Sequence, residues 1–358
     1  MVRRIHRRVS TPLAASVAIL SALVWAQSSG QAVADEITAA SGYSVSIFAQ
    51  DPPNTSSPDS IALDGNKVYV GYGDRTKSDG SDGLPSTVAE FTTSGKLIRT
   101  FSVPGHNDGL RVNPTTHQVY ALLNQDGNPK LTIINPITGA EQTYTLPSIN
   151  GGGGYDDLVF LDGQIFIDAS EPKLDSNGVN TNPVLGTLTL SGGKATVTPI
   201  LSGNTTAVDS ATGQTVNLNL TDPDSLGITP DGALIIDGEA DRNLVTITNP
   251  GTPQQQVSVV SHPNFVADDT VFAPTAKTSL LVADSRGGGV YRISGRFVPG
   301  TAYIAADSDN SVGTFDTTSG AYSPIVTGLS GPHGLAFLSQ LRPKYQTGQF
   351  FNGSYWPQ

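Results

Sequence analysis

Short apolar runs rich in valine, isoleucine, threonine, tyrosine and phenylalanine alternate along the chain with polar turns such as Asp-Gly, Asn-Pro and Ser-Gly. β-Branched and aromatic side chains suit a pleated, packed surface, and Gly, Pro, Asn and Asp mark the reversals between such runs. Strong helix formers never line up at three-four spacing, so the pattern predicts an all-β chain.

The runs repeat. Six segments open a short apolar strand after a polar or glycine-rich loop: Pro58-Asp59-Ser60-Ile61, Asn107-Asp108-Gly109-Leu110, Tyr155-Asp156-Asp157-Leu158, Pro223-Asp224-Ser225-Leu226, Ala267-Asp268-Asp269-Thr270 and Pro332-His333-Gly334-Leu335. The anchors at 59, 108, 156, 224, 268 and 333 lie 49, 48, 68, 44 and 65 residues apart. The shorter intervals fit a four-stranded unit, and the two longer ones predict insertions. A second strand follows each early turn, as in Val68-Tyr69-Val70, Ile165-Phe166-Ile167 and Leu234-Ile235-Ile236, and later turns such as Thr93-Ser94-Gly95 and Thr318-Ser319-Gly320 separate an outer pair. Four strands per unit, repeated radially, predict a β-propeller of six blades. Tyr43-Ser44-Val45-Ser46-Ile47 should supply the outer strand of the last blade and close the ring. Residues 279–330 are the weak region. Leu281-Val282-Ala283-Asp284 and Ile304-Ala305-Ala306-Asp307 read as the same strand only 23 residues apart, which leaves a seventh blade open.

The N-terminus changes the expected location. Arg3, Arg4, Arg7 and Arg8 precede an apolar stretch from Leu13 to Ala26, and Ala32-Val33-Ala34 offers a small-x-small cleavage site. Residues 1–34 therefore read as a signal peptide, with an uncleaved anchor as the alternative. Residues 35–345 form one propeller domain, and 346–358 form an aromatic tail. The expected location is the periplasm or the medium, with no membrane span once the signal is removed. Cleavage leaves 16 basic against 31 acidic residues, a formal charge of −15. Such a surface repels phosphate backbones, which argues against nucleic acid as a partner, and it favours divalent cations. There is no cysteine, and a chain of this length can bury enough core without disulfides. The protein is expected to be a monomer.

Gly331-Pro332-His333-Gly334-Leu335-Ala336-Phe337, and Asp222-Pro223-Asp224-Ser225-Leu226 with Pro230-Asp231-Gly232, carry a resemblance. They resemble the extracellular propellers of the lactonase, gluconolactonase (regucalcin-like), NHL-repeat and virginiamycin B lyase group, over most of residues 43–340. The resemblance implies that each innermost strand starts at one mouth of a central channel, where ligands and metals bind. Gluconolactonase-like members hold a divalent metal with a Glu, one or two Asn and an Asp. Asp224 stands in their Pro-Asp context, Asp59 stands where they carry Glu, and Asp156 or Asp108 where they carry Asn. Virginiamycin-type lyases use a channel His with a Glu and magnesium. His333 matches that His, and no Glu can be placed.

Five Asp and one His aimed at a common axis would either hold protons or recruit a cation. Asp59, Asp108, Asp156, Asp224 and Asp268 are accordingly candidate ligands for calcium or magnesium, the cations suited to oxygen-rich sites. The competing reading has each Asp capping its own loop. His333 is the candidate catalytic residue, because only it shares the Asp register. His106, His262, Asp157 and Asp269 are candidate ligand-binding neighbours, whereas His117 sits in an exposed turn. Gly151-Gly152-Gly153-Gly154 reads as a flexible approach loop. Residues 74–83 have Asp spacing reminiscent of a calcium loop without its closing Glu. Residues 171–183 and 202–222 are insertions that could form a lid or meet a partner. Two functions fit: a binding propeller for a small molecule, glycan or protein, or a divalent-metal-dependent hydrolase or lyase acting on a lactone, ester or sugar acid.

Overall fold

The computed structural model describes residues 36–262 and 264–338, so the leader and the aromatic tail lie outside the described residues. Six sheets stand around a common channel, forming a six-bladed β-propeller. In ring order the inner strands are Pro58–Asp64, Asn107–Val112, Leu158–Leu161, Pro223–Ile228, Ala267–Phe272 and Pro332–Leu338, numbered here as blades 1 to 6. Each carries the expected anchor at or just before its start.

The second strand of each blade is apolar on both faces because both are covered. In Leu234–Gly238 the side chains of Leu234 and Ile236 pack toward blade 3, while Ile235 between them packs toward blade 5. Period-two alternation thus becomes an unbroken hydrophobic run when a sheet is sandwiched between two others. Six buried clusters result, one at each junction between neighbouring blades.

Ring closure is more entangled than the repeat suggests. After the inner strand of blade 5 the chain crosses into blade 6 for Ser279–Asp284 and Gly289–Gly295. It then returns to blade 5 for Ala302–Ala306, Ser311–Phe315 and Tyr322–Thr327, and ends on the inner strand of blade 6. This interleaving explains the two look-alike strands 23 residues apart: both are second strands, in neighbouring blades. There is no seventh blade among the described residues, and the 65-residue interval holds strands of two blades rather than an insertion. Tyr43–Gln50 pairs with Gly289–Gly295 as the outer strand of blade 6, as expected, and Thr38–Ala39 adds a fifth strand to blade 5.

The 68-residue interval does contain an insertion. Thr206–Asp209 and Thr215–Asn217 form a hairpin on the outer edge of blade 4, pairing in parallel with Gln256–Ser261. That part of 202–222 widens a blade and is not a lid. Residues 171–183 are bonded to it: the Asn180 backbone N–H donates to Asn219 Oδ1, and Asn180 Nδ2 to the Leu220 carbonyl.

One local feature positions the site. Pairing of the inner strand with its neighbour slips at Pro58/Ile61, Asn107/Leu110, Pro223/Ser225, Ala267/Thr270 and, in blade 6, Val282/Asp284 opposite Leu335/Pro332. Each slip falls beside an anchor, and such irregularities re-aim a side chain while ending regular pairing. In blade 3 the strand itself starts late, at Leu158, two residues after Asp156. The glycines that follow two anchors have a related cause. A Cβ on Gly109 would meet the Asp156 carbonyl oxygen at 2.0 Å, and one on Gly334 would meet that of Asp59 at 2.4 Å. Neighbouring inner strands approach too closely there for any side chain.

Candidate functional site

The channel mouth is a cavity of about 350 Å³ lined by all six anchors, one from each blade: Asp59, Asp108, Asp156, Asp224, Asp268 and His333. The anchors converge. Two groups can be distinguished within them.

The first group surrounds His333. Its Nδ1 lies 2.9 Å from an Asp268 carboxylate oxygen and 3.6 Å from Asp59, while Nε2 lies 3.7 Å from Asp307. One donor atom from each of Asp59, Asp268 and His333 falls within 4.8 Å of the other two. Burial alone would make the imidazole less basic, but the facing Asp268 and Asp59 outweigh it and hold the His333 pKa well above its ordinary value. The two carboxylates thus favour the imidazolium form of His333. Its proton supplies the positive charge between two carboxylates.

The second group is Asp108, Asp156 and Asp224. Among the described residues, none of the three forms an ion pair. Burial is the main reason their pKa values stand well above the ordinary range, and neighbouring carboxylates add to it: Asp59 and Asp268 beside Asp108, Asp108 and Asp168 beside Asp156, Asp268 and Glu239 beside Asp224. Asp268 is pushed up to about 7 by burial despite its imidazolium partner. Glu239, also on the cavity wall, is pushed up to about 7 by burial and by Asp222. Desolvation of this kind is offset by a bound proton or a bound cation.

The floor is built differently. Arg111, from the blade 2 inner strand, pairs with Asp157 of blade 3 and donates from Nη2 to the Leu226 carbonyl of blade 4 at 3.1 Å. Asp157 also accepts the Leu158 N–H at 2.7 Å and the Leu226 N–H at 3.2 Å. Asp269 accepts the Ser225 hydroxyl at 3.0 Å and the Leu335 N–H at 2.7 Å. These bonds link the inner strands of blades 2 to 6 below the cavity. Asp157 and Asp269, expected to meet ligand, both line the cavity, and their oxygens also accept bonds from the strands around them.

The histidines separate likewise. His106 reaches the wall, with Nδ1 2.9 Å from the Thr76 hydroxyl. His262 does not reach the channel. It is 1 % exposed, stacks on Phe265 at 4.5 Å between ring centroids and meets Phe315 edge-on. Its position six residues before the strand places it between blades 4 and 5, in the same cluster of aromatic rings. His117 is half-exposed and lies 2.9 Å from Asp64. The glycine loop is no flexible approach: the Gly153 N–H donates to the Glu171 carbonyl at 2.8 Å, the Gly154 N–H to that of Gln125, and Gly153 to Tyr155 are buried. In residues 74–83, Asp79 and Asp82 spend oxygens on the N–H groups of Ser81, Lys77 and Leu84, so that segment is a set of turns.

Glu239, Ser285, Arg286 and Arg111 were not anticipated, yet all line the cavity. Glu239 and Ser285 each follow directly on a second strand, Leu234–Gly238 and Ser279–Asp284. Asp307 holds the same place after Ala302–Ala306. Reading the residue after every second strand as a second register would have found them. Arg286, at the rim, donates from Nη2 to Asp307 at 2.6 Å and from Nε to the Ser330 carbonyl at 2.6 Å.

No protein-family model matches the chain, and no curated protein sequence matches it. Solved structures do. Virginiamycin B lyase from Staphylococcus aureus is similar with a TM-score of 0.50 and 12% identity, covering 83% of this chain and 96% of its own. The periplasmic gluconolactonase of Pseudomonas aeruginosa gives 0.48 and 11%, covering 80% and 90%. A Bacteroides caccae protein of unknown function gives 0.46 and 7%, covering 78% and 86%. At these identities what is shared is the fold: this chain is a six-bladed propeller, and Staphylococcus aureus virginiamycin B lyase has a similar fold. No helix among the described residues is long and apolar enough to cross a membrane.

Proposed function

We propose that the channel mouth is the active site of a divalent-cation-dependent hydrolase or lyase acting on a small lactone, ester or sugar acid. One observation carries this reading: Asp156, buried, and Asp108 and Asp224, partly buried, line one cavity and, among the described residues, pair with no cationic side chain, while Asp59 and Asp268 lie beside His333. Oxygen-only donors with uncompensated charge fit calcium or magnesium and fit softer metals poorly. The bound cation would polarise a substrate carbonyl as a Lewis acid.

The chain's own residues would divide the remaining work. Asp268 and Asp59 hold the imidazole ring, so that His333 carries a proton it can deliver to a leaving oxygen. Glu239, near half-ionised at neutral pH, can accept one. Two titratable groups whose surroundings push them toward different protonation states suit acid and base roles. Arg111, paired with Asp157, would present a fixed positive charge on the cavity wall. The expected leader would accord with this proposal by sending the enzyme to the periplasm or medium.

A simple binding propeller is the competing function, and cations decide first. Calcium or magnesium should raise the melting temperature by several degrees, because a ligand that binds only the folded state stabilises by about 2.7 kcal/mol at a hundred times its Kd. Asp108→Asn with Asp224→Asn should abolish that shift at the channel. An unchanged shift in the double variant would refute the assigned ligands.

A further inference from the structure

The seam where blade 6 closes against blade 1 holds a second group of acidic residues, away from the channel anchors. Asp51 follows directly on the closing strand Tyr43–Gln50, and its N–H reaches the Gly288 carbonyl in a blade 6 turn at 3.4 Å. Tyr72 ends the second strand of blade 1, Lys67–Tyr72, and Asp74 lies two residues beyond. Asp284 ends a blade 6 strand on the other side of the seam.

These groups are not equally provided for. Asp284 is well served: its oxygens accept the Gly287 N–H at 3.1 Å, the Gly331 N–H at 2.7 Å and the Ser330 N–H at 3.0 Å. Asp74 is fixed in the left-handed region, at φ 52°, and Oδ1 accepts the Ser56 N–H at 2.9 Å. Tyr72 and Asp51 differ. Tyr72 is 0 % exposed and, among the described residues, its hydroxyl has no hydrogen-bond partner; Asp51 Oδ1 is likewise buried without one among them. A phenol oxygen and a carboxylate oxygen therefore stand orphaned in one seam, beyond hydrogen-bond reach of each other.

Charge distinguishes what could lie between them. The Asp51 carboxylate feels the charges of Asp74 and Asp284, and among the described residues no Lys, Arg or His pairs with any of the three. The nearby Arg286 is engaged with Asp307. A water molecule could satisfy the two orphaned atoms but would leave the charge uncompensated. Burial, followed by Asp74 and Asp284, pushes the Asp51 carboxyl up to about 6, which agrees with that imbalance. A calcium-type cation accepts carboxylate and neutral oxygen donors in irregular geometry and would relieve both deficits.

We infer that this seam is a calcium-type cation site, held by Asp51, Asp74 and the Tyr72 phenol oxygen, that fastens the closing strand to blade 1. It is independent of the channel proposal, since it shares no ligand with it. Because the outer strand of blade 6 comes from the N-terminal part of the described chain and its other strands from the far end, a cation here ties the closing strand to blade 1 where the ring closes.

Terbium(III), a luminescent stand-in for calcium excited through nearby tyrosine, provides the test. In the full chain carrying Asp108→Asn and Asp224→Asn, terbium should give tyrosine-sensitised emission that excess calcium reverses. Adding Asp51→Asn should weaken binding at least tenfold. Tyr72→Phe, which keeps the ring and removes only the hydroxyl, should lower the emission and weaken calcium binding. Melting curves on each variant report folding, and calcium should also slow proteolysis within residues 51–57. No emission and no calcium-dependent melting shift in the channel double variant would overturn the site and assign ordered water to the two orphaned atoms. Binding insensitive to both Asp51→Asn and Tyr72→Phe would overturn it equally. If wild type binds calcium and the channel double variant does not, the channel reading stands and the seam falls; if the double variant binds as much calcium as wild type and loses it on adding Asp51→Asn, the channel ligands are removed and the seam stands.

Discussion

Replacing His333 with alanine should lower kcat about 10²- to 10⁴-fold on whichever member of a panel of γ- and δ-lactones and aryl esters the wild type hydrolyses, the range that positioned proton transfer supplies. The expectation rests on its place: it is the one basic anchor of the cavity, 2.9 Å from Asp268 and 3.6 Å from Asp59. Those two anions favour the imidazolium, so the proton is present at neutral pH and ready for transfer. Asp268→Asn separates this role from a structural one. Without its nearer anion, His333 should give up its proton at lower pH, and the basic limb of the kcat profile should move down accordingly. A residue that only braced the fold would lower the melting temperature and leave the limb in place. Equal turnover by wild type and His333→Ala would remove His333 from the chemistry.

Stability in a chelating buffer should fall as pH rises from about 4 to about 7, the opposite of most acid-sensitive proteins. Asp268 and Glu239 bind protons up to about 7 when folded but release them near 3.8 and 4.5 when unfolded. Asp108, Asp156 and Asp224 shift in the same direction. Across that window the native state therefore holds more protons than the unfolded chain, and the slope of stability with pH is negative. His333 adds to the fall at higher pH: its folded pKa is raised, so its contribution is complete below 6.5 and lost as pH climbs through the folded value. Glu90, held low by Lys67 and Arg99 against its burial, acts oppositely and only in acid. The net drop in melting temperature should be on the order of 5–10 °C. Saturating calcium should flatten it, since the cation takes the place of the protons. A melting temperature that is flat or rising from pH 4 to 7 in chelator would contradict the assigned shifts.

Much of this arrangement could be read from the chain alone. The anchors were legible because each marks the same place, the irregular start of an inner strand, with a slip in pairing in five blades and a late strand start in blade 3. Tyr43–Gln50 was legible because its alternation has no partner nearby in sequence. The interleaving of blades 5 and 6 was not: Leu280-Leu281-Val282 and Tyr303-Ile304-Ala305 have the same local pattern, and nothing local states which inner strand each will meet. His262 misled for a related reason. Distance along the chain placed it near an anchor, but its ring is buried against Phe265 and Phe315 between blades. Asp157 and Asp269 sit next to anchors and line the same cavity, and what their sequence position did not show is that they also bond the neighbouring inner strands. Glu239 escaped because it belongs to the second register, after the second strand, where no recurring residue type announces it.

The central claim is that the buried carboxylates of the channel mouth hold protons until a divalent cation displaces them. Calorimetric titration of calcium into the protein near pH 6, in two buffers of different ionisation enthalpy, counts the protons released on binding. The account predicts saturable binding with release of more than one proton per channel cation, lost in Asp108→Asn with Asp224→Asn. Binding without proton release, or no binding at the channel at all, would contradict it.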